Sequence, residues 1–554
     1  MLTRRVTRRR VGLDYGPSEI LSHMPQAFQQ YNAATTFVDE PLERGWGNRI
    51  AFVQGARRVT YHQFAELTNR TGNVLRELGV EMEQRVMLLL YDSPEFACSF
   101  FGAIKIGAVA VPVSTLLRAE EYAYFLNDSR ARVLVAHEPL LAEIEPVVGT
   151  LTFLKHIVVV PVGTTRRPGA ERYQHLDALV TRASSSLAPA ETVADDAAFW
   201  LYTSGSTGLP KAAVHRQHDM LYCADTVARH VFAYAPEDRA YSVSKLTFAY
   251  GLGNGLYFPL RFGASAVHEA GRPTPESIFE TIQRYRPTLV FTVPTIFARL
   301  LAVEDAPRRY DLSSVRMYVS SGEPLPEALF HRWEQRFGAT IFDVVGSTEN
   351  LHDFLANRPG YIRPGSSGVP VPGYECRIVD DAGEEVTDGQ AGHLLVKGGS
   401  TASCYWNNRQ ATQRTMLGEW LRTGDMFVRD AEGFYWYCGR DDDMFKVGGL
   451  WVSPHEVENA LLGHRAVLEA AVVAVPDEHG LLRSKAYVVL KDGEGPGPEV
   501  VASLQALVKE RLAPHKTPRW IECVPDLPKT ATGKIQRFRL RPRTTVRAGA
   551  GGST

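Results

Sequence analysis

The 554-residue sequence is poor in cysteine, lacks any long apolar run and carries almost no net charge. Its six cysteines form no CxxC pair and do not cluster with histidine, which argues against a disulfide framework or a structural zinc site. No stretch approaches the roughly 20 apolar residues that a membrane helix needs. A formal net charge of −1 gives no reason to expect nucleic acid or a membrane surface as a partner. We therefore expect a cytoplasmic protein that binds neither.

The composition is that of a globular chain with ample core-forming material, since 44% of the residues are hydrophobic and 22% are charged. The length suits several domains, or one large enzyme domain with a smaller lobe. The first ten residues contain five arginines, and no apolar segment follows them, so they do not resemble a secretory signal. We expect a solvated N-terminus and a disordered C-terminal tail over residues 542–554.

Alternation of apolar, β-branched runs with helical patterns over residues 50–300 predicts an α/β domain. Its parallel sheets should be covered by helices on both faces. Residues 365–440 change to short strands punctuated by glycine and proline, which indicates a β-rich subdomain. A small α+β lobe follows, with helices over 454–462 and 498–512 and strands over 468–475, 483–490 and 520–524. The predicted organisation is a large domain over 1–440, a hinge at 441–442 and a mobile C-terminal lobe over 443–541.

The segment Thr203-Ser-Gly-Ser-Thr-Gly-Leu-Pro-Lys211 follows a short apolar run that reads as a strand. Glycines let backbone N–H groups approach an anion, hydroxyls donate hydrogen bonds and lysine adds charge, so this loop suits a polyphosphate. Its spacing is not the GxxxxGK[ST] of a P-loop. A second cluster, Gly251-Leu-Gly-Asn-Gly255, lacks the final glycine of a Rossmann dinucleotide loop.

Together with four further motifs, this loop resembles the adenylate-forming superfamily of acyl- and aryl-CoA synthetases, adenylation domains and luciferases. The other segments, in order, are Gly346-Ser-Thr-Glu349, Arg422-Thr-Gly-Asp425, Gly439-Arg-Asp-Asp-Asp-Met-Phe-Lys446 and Pro528-Lys-Thr-Ala-Thr-Gly-Lys534. The resemblance spans roughly residues 30–540. It implies that a carboxylate attacks the α-phosphorus of ATP and pyrophosphate leaves, with Mg²⁺ neutralising the phosphates.

The resemblance assigns roles to individual residues. Glu349 would bind Mg²⁺, and Lys534 would bridge the substrate carboxylate and the α-phosphate. The hinge residue would be Asp442, about which the lobe rotates so that the strand around Lys446 faces the site and helps admit the pantetheine thiol. The residues expected to bind the ATP phosphates are Thr203, Ser204, Gly205, Ser206, Thr207, Gly208, Lys211 and Thr348. Those expected to bind adenine or ribose are Ser321, Gly322, Glu323, Pro324, Asp343, Asp425 and Arg440. Many relatives have tyrosine before the GxTE motif, whereas this chain has Val345, which leaves adenine to packing and backbone contacts.

Around the acid-binding pocket, the sequence resembles the benzoate and hydroxybenzoate CoA ligase branch. Ala249 and Tyr250 would form one wall of a slot for an aromatic ring, and Tyr250 would also gate the pantetheine tunnel. His352 would lie near the ring and the carboxylate. The full predicted pocket comprises Phe248, Ala249, Tyr250, Gly251, Gly346, His352 and Asp353.

Asp353 departs from the branch, in which an aliphatic residue usually follows this histidine. A carboxyl group lining an apolar slot costs several kcal/mol unless it is paired. Either Asp353 turns away to solvent, or it meets a donor on the substrate. The second alternative predicts an acid with a hydroxyl or amino group on its ring.

The sequence thus predicts an AMP-forming ligase that converts an aromatic acid to its adenylate and then to a CoA thioester. Its co-substrates would be ATP, Mg²⁺ and coenzyme A. An enzyme that loads a carrier-protein thiol stays open as an alternative, as does a homodimer. A catalytically inactive relative is a third reading, against which Lys211, Glu349, Asp425 and Lys534 argue.

Overall fold

The computed structural model describes residues 28–163, 169–203, 209–441, 443–447, 450–478, 481–491, 493–529 and 535–541. Within these ranges, no helix is long and apolar enough to cross a membrane. All six cysteines are free thiols. The described residues form five β-sheets, two of them large and mainly parallel. The arginine-rich N-terminus and the predicted tail lie outside the described residues.

The first large sheet has eight strands, and the two strands that flank the predicted glycine-rich loop belong to its antiparallel part. Its interior strands are almost wholly apolar, as in Arg85–Leu89 and Val133–His137, because both of its faces are covered. The strand order across the sheet is Cys404–Tyr405, Lys211–Arg216, Ala197–Thr203, Val109–Pro112, Arg85–Leu89, Val133–His137, His156–Val160 and Gln174–His175. The first three of these strands pair antiparallel and the others pair parallel.

The second large sheet has nine strands and carries the predicted pocket residues at one end. Its order is Val369–Pro370, Asp353–Ala356, Ile341–Gly346, Met317–Ser320, Leu289–Thr292, Arg239–Ser242, Ser265–Val267, Ile50–Gln54 and Arg57–Thr60. The strands from Ile341–Gly346 to Ile50–Gln54 are parallel, and the strands outside them pair antiparallel. The carboxyl ends of Met317–Ser320 and Ile341–Gly346 are adjacent, which is the edge where sites form in parallel sheets.

The β-rich subdomain is an antiparallel sheet of five strands. These strands are Glu375–Val379, Ala391–Lys397, Met416–Leu417, Trp420–Arg429 and Tyr435–Arg440. The C-terminal lobe has a small hairpin, Phe445–Val447 with Leu450–Val452, and a sheet of Val467–Pro476, Leu482–Leu490 and Trp520–Cys523. The lobe has a core of its own, in which Val457, Leu461, Val472 and Leu504 are buried.

Helices connect the strands of the large sheets, and two more belong to the small lobe. The α-helices are Glu40–Glu43, Tyr61–Glu77, Pro94–Lys105, Ala119–Asp128, Leu141–Ile144, Leu176–Arg182, Asp219–Cys223, Ala249–Leu252, Phe258–Arg261, Pro275–Tyr285, Pro294–Ala302, Ala306–Arg309, Glu327–Phe337, Arg409–Thr415, Pro454–Leu462 and Pro498–Arg511. Thr35–Asp39, Ala224–Ala228 and Gly253–Tyr257 are π-helical. Short 3₁₀ turns occur at Glu138–Leu140, Glu145–Thr150, Ala170–Arg172, Pro514–Lys516 and Arg537–Arg539. The helix Tyr61–Glu77 begins in a capping box, in which Thr60 and Gln63 satisfy each other's backbone N–H groups.

The predicted fold class is confirmed. Helices and mainly parallel sheets build the large domain, a β-rich subdomain follows, and the last lobe is α+β. The predicted lobe elements differ from the observed ones by at most a residue or so at their ends, and the helix over 454–462 has the predicted bounds. The proposed boundary, hinge and rotation remain predictions.

Candidate active site

The strand before the glycine-rich segment is present, and it pairs antiparallel with the strand Lys211–Arg216 that follows the segment. Thr203 ends the strand Ala197–Thr203, and Lys211 begins the return strand directly opposite it. Thr203 and Lys211 therefore lie side by side at the end of the strand pair that is nearest to the segment connecting the two strands. Residues 204–208, which carry the predicted phosphate contacts of Ser204, Gly205, Ser206, Thr207 and Gly208, lie outside the described residues.

The predicted metal ligand Glu349 lies close to Lys211, although 138 positions of sequence separate them. Tyr405 joins the two residues. Its hydroxyl group donates a hydrogen bond to Oε1 of Glu349 at 2.5 Å. Its ring lies below the ammonium group of Lys211, with 4.3 Å between Nζ and the ring centroid. An ammonium group over an aromatic face and a charge-assisted hydrogen bond are both attractive contacts.

The backbone of the GxTE motif is held from a second side by a buried histidine. Nε2 of His215 lies 2.8 Å from the carbonyl oxygen of Thr348, and Nδ1 lies 3.0 Å from Oδ2 of Asp219. Burial opposes ionisation of Asp219, yet Arg216 and His215 hold the pKa of its carboxyl group below the ordinary value. The carbonyl oxygen and the carboxylate are both hydrogen-bond acceptors, so the His215 ring is held through both of its nitrogens.

Glu349 offers the oxygen donor that Mg²⁺ prefers. Its side chain is half-buried and lies near Lys211, the predicted phosphate-binding lysine. A magnesium ion that bridges ATP phosphates takes only one or two protein carboxylates, because phosphate and water oxygens complete its octahedron. The described residues contain no group of three or more metal-ligating side chains. Glu349 therefore fits a magnesium ion that arrives with ATP.

The predicted ribose contacts are neighbours on paired strands. Asp425 faces Arg440 across the Trp420–Arg429 and Tyr435–Arg440 pairing, with 3.2 Å between Oδ1 and Nη1. Arg440 also donates to the carbonyl oxygen of Thr423 at 3.1 Å. The pairing orients a carboxyl group with two acceptor oxygens, as a vicinal diol requires.

The predicted adenine strip follows the strand Met317–Ser320. Gly322 has a φ of +86°, a conformation that favours glycine and turns the chain sharply. Glu323 accepts a hydrogen bond from Thr295 at 3.0 Å. Asp343 lies on the adjacent strand and is buried, and burial together with the nearby Asp353 raises the pKa of its carboxyl group well above the ordinary value.

The predicted pocket wall is a helical stretch that runs from Ala249 through a π-helical turn to Arg261. Tyr250 packs against His352, with 5.6 Å between ring centroids, and donates a hydrogen bond to the carbonyl oxygen of Val319 at 3.3 Å. Phe258 packs on the other side of His352, at 4.5 Å. The structure thus brings Tyr250 and His352 together, and Phe248 caps the helix that Ala249 begins.

Three glycines allow this close packing. A Cβ atom on Gly346 would lie 2.5 Å from the carbonyl oxygen of His352, and one on Gly251 would lie 2.5 Å from that of Ser244. A Cβ atom on Gly253 would lie 2.6 Å from Nε2 of His352. Gly346 and Gly251 were predicted to belong to the pocket, whereas Gly253 was not. Leu351, which precedes His352, adopts a φ of +66° that is costly for a residue other than glycine.

Asp353 is buried, so the alternative in which it turns to solvent is wrong. Only 1% of the residue is exposed, and Oδ1 accepts a hydrogen bond from Ser321 at 3.1 Å. Its other oxygen, Oδ2, lies 2.9 Å from Nδ1 of His352. Within the described part of the chain, however, neither Oδ2 nor the ring nitrogens of His352 has a hydrogen-bond partner. The 2.9 Å contact between adjacent residues is close but poorly aligned, so these buried atoms retain bonding capacity.

Two predicted residues, the catalytic Lys534 and the hinge residue Asp442, lie outside the described residues. Lys446 lies in the strand Phe445–Val447, where only its backbone is described. Asp443, which follows the predicted hinge residue, is paired with Arg537 at 3.8 Å and with Arg541. These pairs attach Asp443 to the last described segment of the lobe.

The sequence did not identify Tyr405, His215 or Ser321 as parts of a contact network. His215 lies in the strand Lys211–Arg216 and carries no motif of its own. Pairing of the strands Cys404–Tyr405 and Lys211–Arg216 brings Tyr405 opposite Ala213, two positions from His215.

Comparison with known proteins shows close relatives over nearly the whole chain. The family described as AMP-binding enzyme matches residues 41–406, and the AMP-binding enzyme C-terminal domain matches residues 456–534. The chain is 46% identical to benzoate–CoA ligase from Thauera aromatica over 93% of its own length and 96% of that protein. It is 43% identical to 4-hydroxybenzoate–CoA/benzoate–CoA ligase from Rhodopseudomonas palustris, over 93% of its length and 95% of the relative. The crystal structure of the anthranilate CoA ligase AuaEII with anthranoyl-AMP is 40% identical, with a TM-score of 0.88 and coverage of 95% of this chain and 98% of that one.

Proposed function

This chain belongs to the family of AMP-binding enzymes, and from that premise we propose that it is an AMP-forming aryl-acid–CoA ligase. In the first step, a carboxylate oxygen of the aromatic acid attacks the α-phosphorus of ATP, and pyrophosphate leaves with its bonding electrons. In the second, the CoA thiol loses its proton and attacks the acyl carbon, and AMP leaves. The products are aryl-CoA, AMP and pyrophosphate.

The observation that carries this proposal is the meeting of Lys211 and Glu349 at Tyr405. Two anions must approach each other during adenylation, so the reaction needs positive charge at the phosphates before it needs any covalent help. Lys211 would supply charge to the β- and γ-phosphates, and Glu349 would hold the Mg²⁺ that arrives with them. Asp425 and Arg440 would hold the ribose.

We assign the closing steps to the small lobe. Lys534 would bridge the carboxylate and the α-phosphate during adenylation, because an ammonium group on a flexible stem can follow the charge that develops there. Rotation about Asp442 would then exchange it for the strand around Lys446, which would admit the thiol. The pairs of Asp443 with Arg537 and Arg541 support a lobe that moves as a unit with its C-terminal segment.

For the acid itself, we propose a benzoate with a hydroxyl or amino group on the ring. Its support is the unused bonding capacity of the buried pair His352 and Asp353. A buried polar atom without a partner costs about 1–3 kcal/mol, and a donor on the substrate would recover that cost. Such donors are present on 4-hydroxybenzoate and on anthranilate, the acids named for two of the relatives.

Coenzyme A is the proposed acceptor because the relatives are named as CoA ligases. A carrier-protein thiol is the second candidate, since both acceptors present a phosphopantetheine thiol to the same adenylate. We place the reaction in the cytoplasm, in keeping with six unpaired cysteines. A homodimer is compatible with either acceptor.

The test is an acid-dependent ATP–pyrophosphate exchange assay over benzoate, its hydroxy and amino isomers and cinnamate, followed by product analysis with CoA. We expect exchange with one or more substituted benzoates and aryl-CoA formation without a carrier protein. Exchange without thioester until a carrier protein is added would favour the second acceptor. If no aryl acid supports exchange, the proposed substrate class is wrong.

A further inference from the structure

Tyr405 occupies the space between two oppositely charged residues of the candidate active site. It lies in the short strand Cys404–Tyr405 and is only 3% exposed. Its hydroxyl group donates a hydrogen bond to Glu349, and the face of its ring contacts the ammonium group of Lys211. A single side chain therefore touches both the predicted metal ligand and the predicted phosphate-binding lysine.

Within the described residues, no ion pair within 4.0 Å joins Lys211 directly to Glu349, although both contact Tyr405. An ammonium and a carboxylate group that paired with each other would neutralise the charges that ATP and Mg²⁺ need. The tyrosine ring attracts the ammonium group of Lys211, and its hydroxyl group forms a hydrogen bond with the carboxylate of Glu349. The side chain thus keeps the two charges close without letting them combine.

We propose that Tyr405 is a positioning residue that orients Glu349 toward Mg²⁺ and Lys211 toward the ATP phosphates. The inference rests on the proposed function, since both partners owe their roles to it. The hydrogen bond restrains Oε1 of Glu349 and so fixes the plane in which the carboxylate presents its lone pairs. Partners of this kind, one step removed from the metal, commonly change metal affinity by about 10–100-fold when they are removed.

The backbone of Glu349 is held independently of the Tyr405 hydroxyl group. Its carbonyl oxygen accepts a hydrogen bond from the backbone N–H of Ala402 at 2.7 Å, and His215 holds the carbonyl oxygen of Thr348. The carbonyl oxygen of the next residue, Asn350, accepts a hydrogen bond from the hydroxyl group of Ser400 at 2.8 Å. Removing the hydroxyl group of Tyr405 should therefore release the carboxylate and leave the GxTE backbone in place.

Two substitutions separate the two contacts. Tyr405→Phe removes the hydrogen bond to Glu349 and keeps the ring under Lys211. Tyr405→Leu removes both contacts. The matched control is Tyr202→Phe, because the Tyr202 hydroxyl group also donates to a carboxylate, Oδ2 of Asp128 at 2.7 Å, and its ring stacks on Phe125 instead of contacting the site.

The experiment measures ATP binding by calorimetry, without aryl acid, as the Mg²⁺ concentration is varied. For Tyr405→Phe, we expect the Mg²⁺ concentration that gives half-maximal ATP affinity to rise about tenfold, with unchanged affinity in EDTA. For Tyr405→Leu, we expect ATP affinity to fall in EDTA as well, because Lys211 loses its support. Tyr202→Phe should behave as wild type does. In a Glu349→Gln background, Tyr405→Phe should have no further effect on the Mg²⁺ dependence.

A wild-type Mg²⁺ dependence in Tyr405→Phe, or an equal change in Tyr202→Phe, would overturn the inference. A loss of ATP affinity in Tyr405→Phe that is the same with Mg²⁺ and with EDTA would also overturn it, because it would indicate a general packing role. If the wild type binds Mg·ATP but activates no aryl acid, the proposed function fails while the role of Tyr405 stands. If the wild type does not bind Mg·ATP at all, both fail.

Discussion

Replacing Asp353 with isoleucine should move the acid preference toward unsubstituted benzoate. In the wild type, Oδ2 of Asp353 and the ring nitrogens of His352 are buried without hydrogen-bond partners in the described chain, so a ring hydroxyl or amino group gains a bond that benzoate cannot make. Isoleucine removes that acceptor and restores the aliphatic side chain that is usual in benzoate-type relatives.

The magnitude follows from the value of one buried hydrogen bond to a charged group, about 1.5–3 kcal/mol. Since 1.4 kcal/mol corresponds to a factor of ten, the ratio of kcat/KM for the preferred substituted acid to that for benzoate should fall about 10–150-fold in Asp353→Ile. The change leaves Ser321 without its acceptor at 3.1 Å, but it also removes a carboxyl group that raises the pKa of Asp343. These effects on stability oppose each other, so we expect a folded variant.

The assay is pyrophosphate exchange with benzoate and its hydroxy and amino isomers, for the wild type, Asp353→Ile, Asp353→Asn and Ser321→Ala. Asparagine can still accept from Ser321 through its amide oxygen, but it puts an NH₂ donor in place of one carboxyl oxygen, so it should lose the preference while keeping the fold. Ser321→Ala removes the bond within the protein and keeps the carboxyl group, so its preference should stay near that of wild type. Equal substrate ratios in the wild type and Asp353→Ile, or a wild type that already prefers benzoate, would refute the reasoning.

Three further predictions concern other parts of the chain. Lys534→Ala should abolish acid-dependent pyrophosphate exchange and spare thioester formation from supplied aryl-AMP, and exchange at the wild-type rate would contradict its assigned role. Gly253→Ala places a Cβ atom 2.6 Å from Nε2 of buried His352, so it should lower Tm by overpacking, at a cost of about 1–3 kcal/mol, and raise KM for the acid but not for ATP. Burial, opposed by a nearby lysine, raises the pKa of Asp92 from 3.8 to about 6. The folded state then binds this proton more tightly than the unfolded state, so stability should fall by up to about 3 kcal/mol as pH rises from 4 to 6. Asp92→Asn keeps an acceptor for the N–H of Leu246 and should lack this fall in stability. If the Tm of the wild type and that of Asp92→Asn changed in parallel over pH 4–7, Asp92 would not be the cause.

Much of the fold could be predicted because local signals agreed with the global arrangement. The strands Arg85–Leu89 and Val133–His137 are apolar runs, as strands covered on both faces require. The helix Pro454–Leu462 has its predicted bounds because Ser453 caps it through the N–H of Glu456 and proline stands in its first turn. These signals lie within a few residues of the elements that they define.

The contacts within the site could not be predicted in the same way, because they join distant parts of the chain. His215 and Thr348 are separated by 133 positions, and Tyr405 and Glu349 by 56. A motif can name Glu349 as a metal ligand, but the partner that orients it depends on how Cys404–Tyr405 pairs with Lys211–Arg216 at the edge of the first sheet. No local pattern encodes that pairing.

The orientation of Asp353 shows the same limit at closer range. Side chains alternate between the faces of a strand, so a shift of one residue in register would have turned Asp353 to the opposite face. The observed register places Asp353 opposite Gly346, where the absence of a Cβ atom lets the two segments approach closely. The glycine of the GxTE motif is therefore part of the reason that the carboxyl group is buried.

Ser321 joins the predicted acid pocket to the predicted nucleotide site. This residue belongs to the predicted adenine strip, yet its hydroxyl group donates to Asp353, which lines the predicted ring pocket. A substrate that forms a hydrogen bond with Asp353 therefore also acts on the segment that would contact adenine. Coupling of this kind must be reciprocal, so a substituted acid that binds more tightly in the presence of ATP should strengthen ATP binding by the same factor.

Ser321→Ala should reduce that factor while leaving the affinity for each substrate alone nearly unchanged. Calorimetric titration of each ligand with and without the other would measure this coupling factor. An equal factor in the wild type and in Ser321→Ala would show that Ser321 does not couple the two sites.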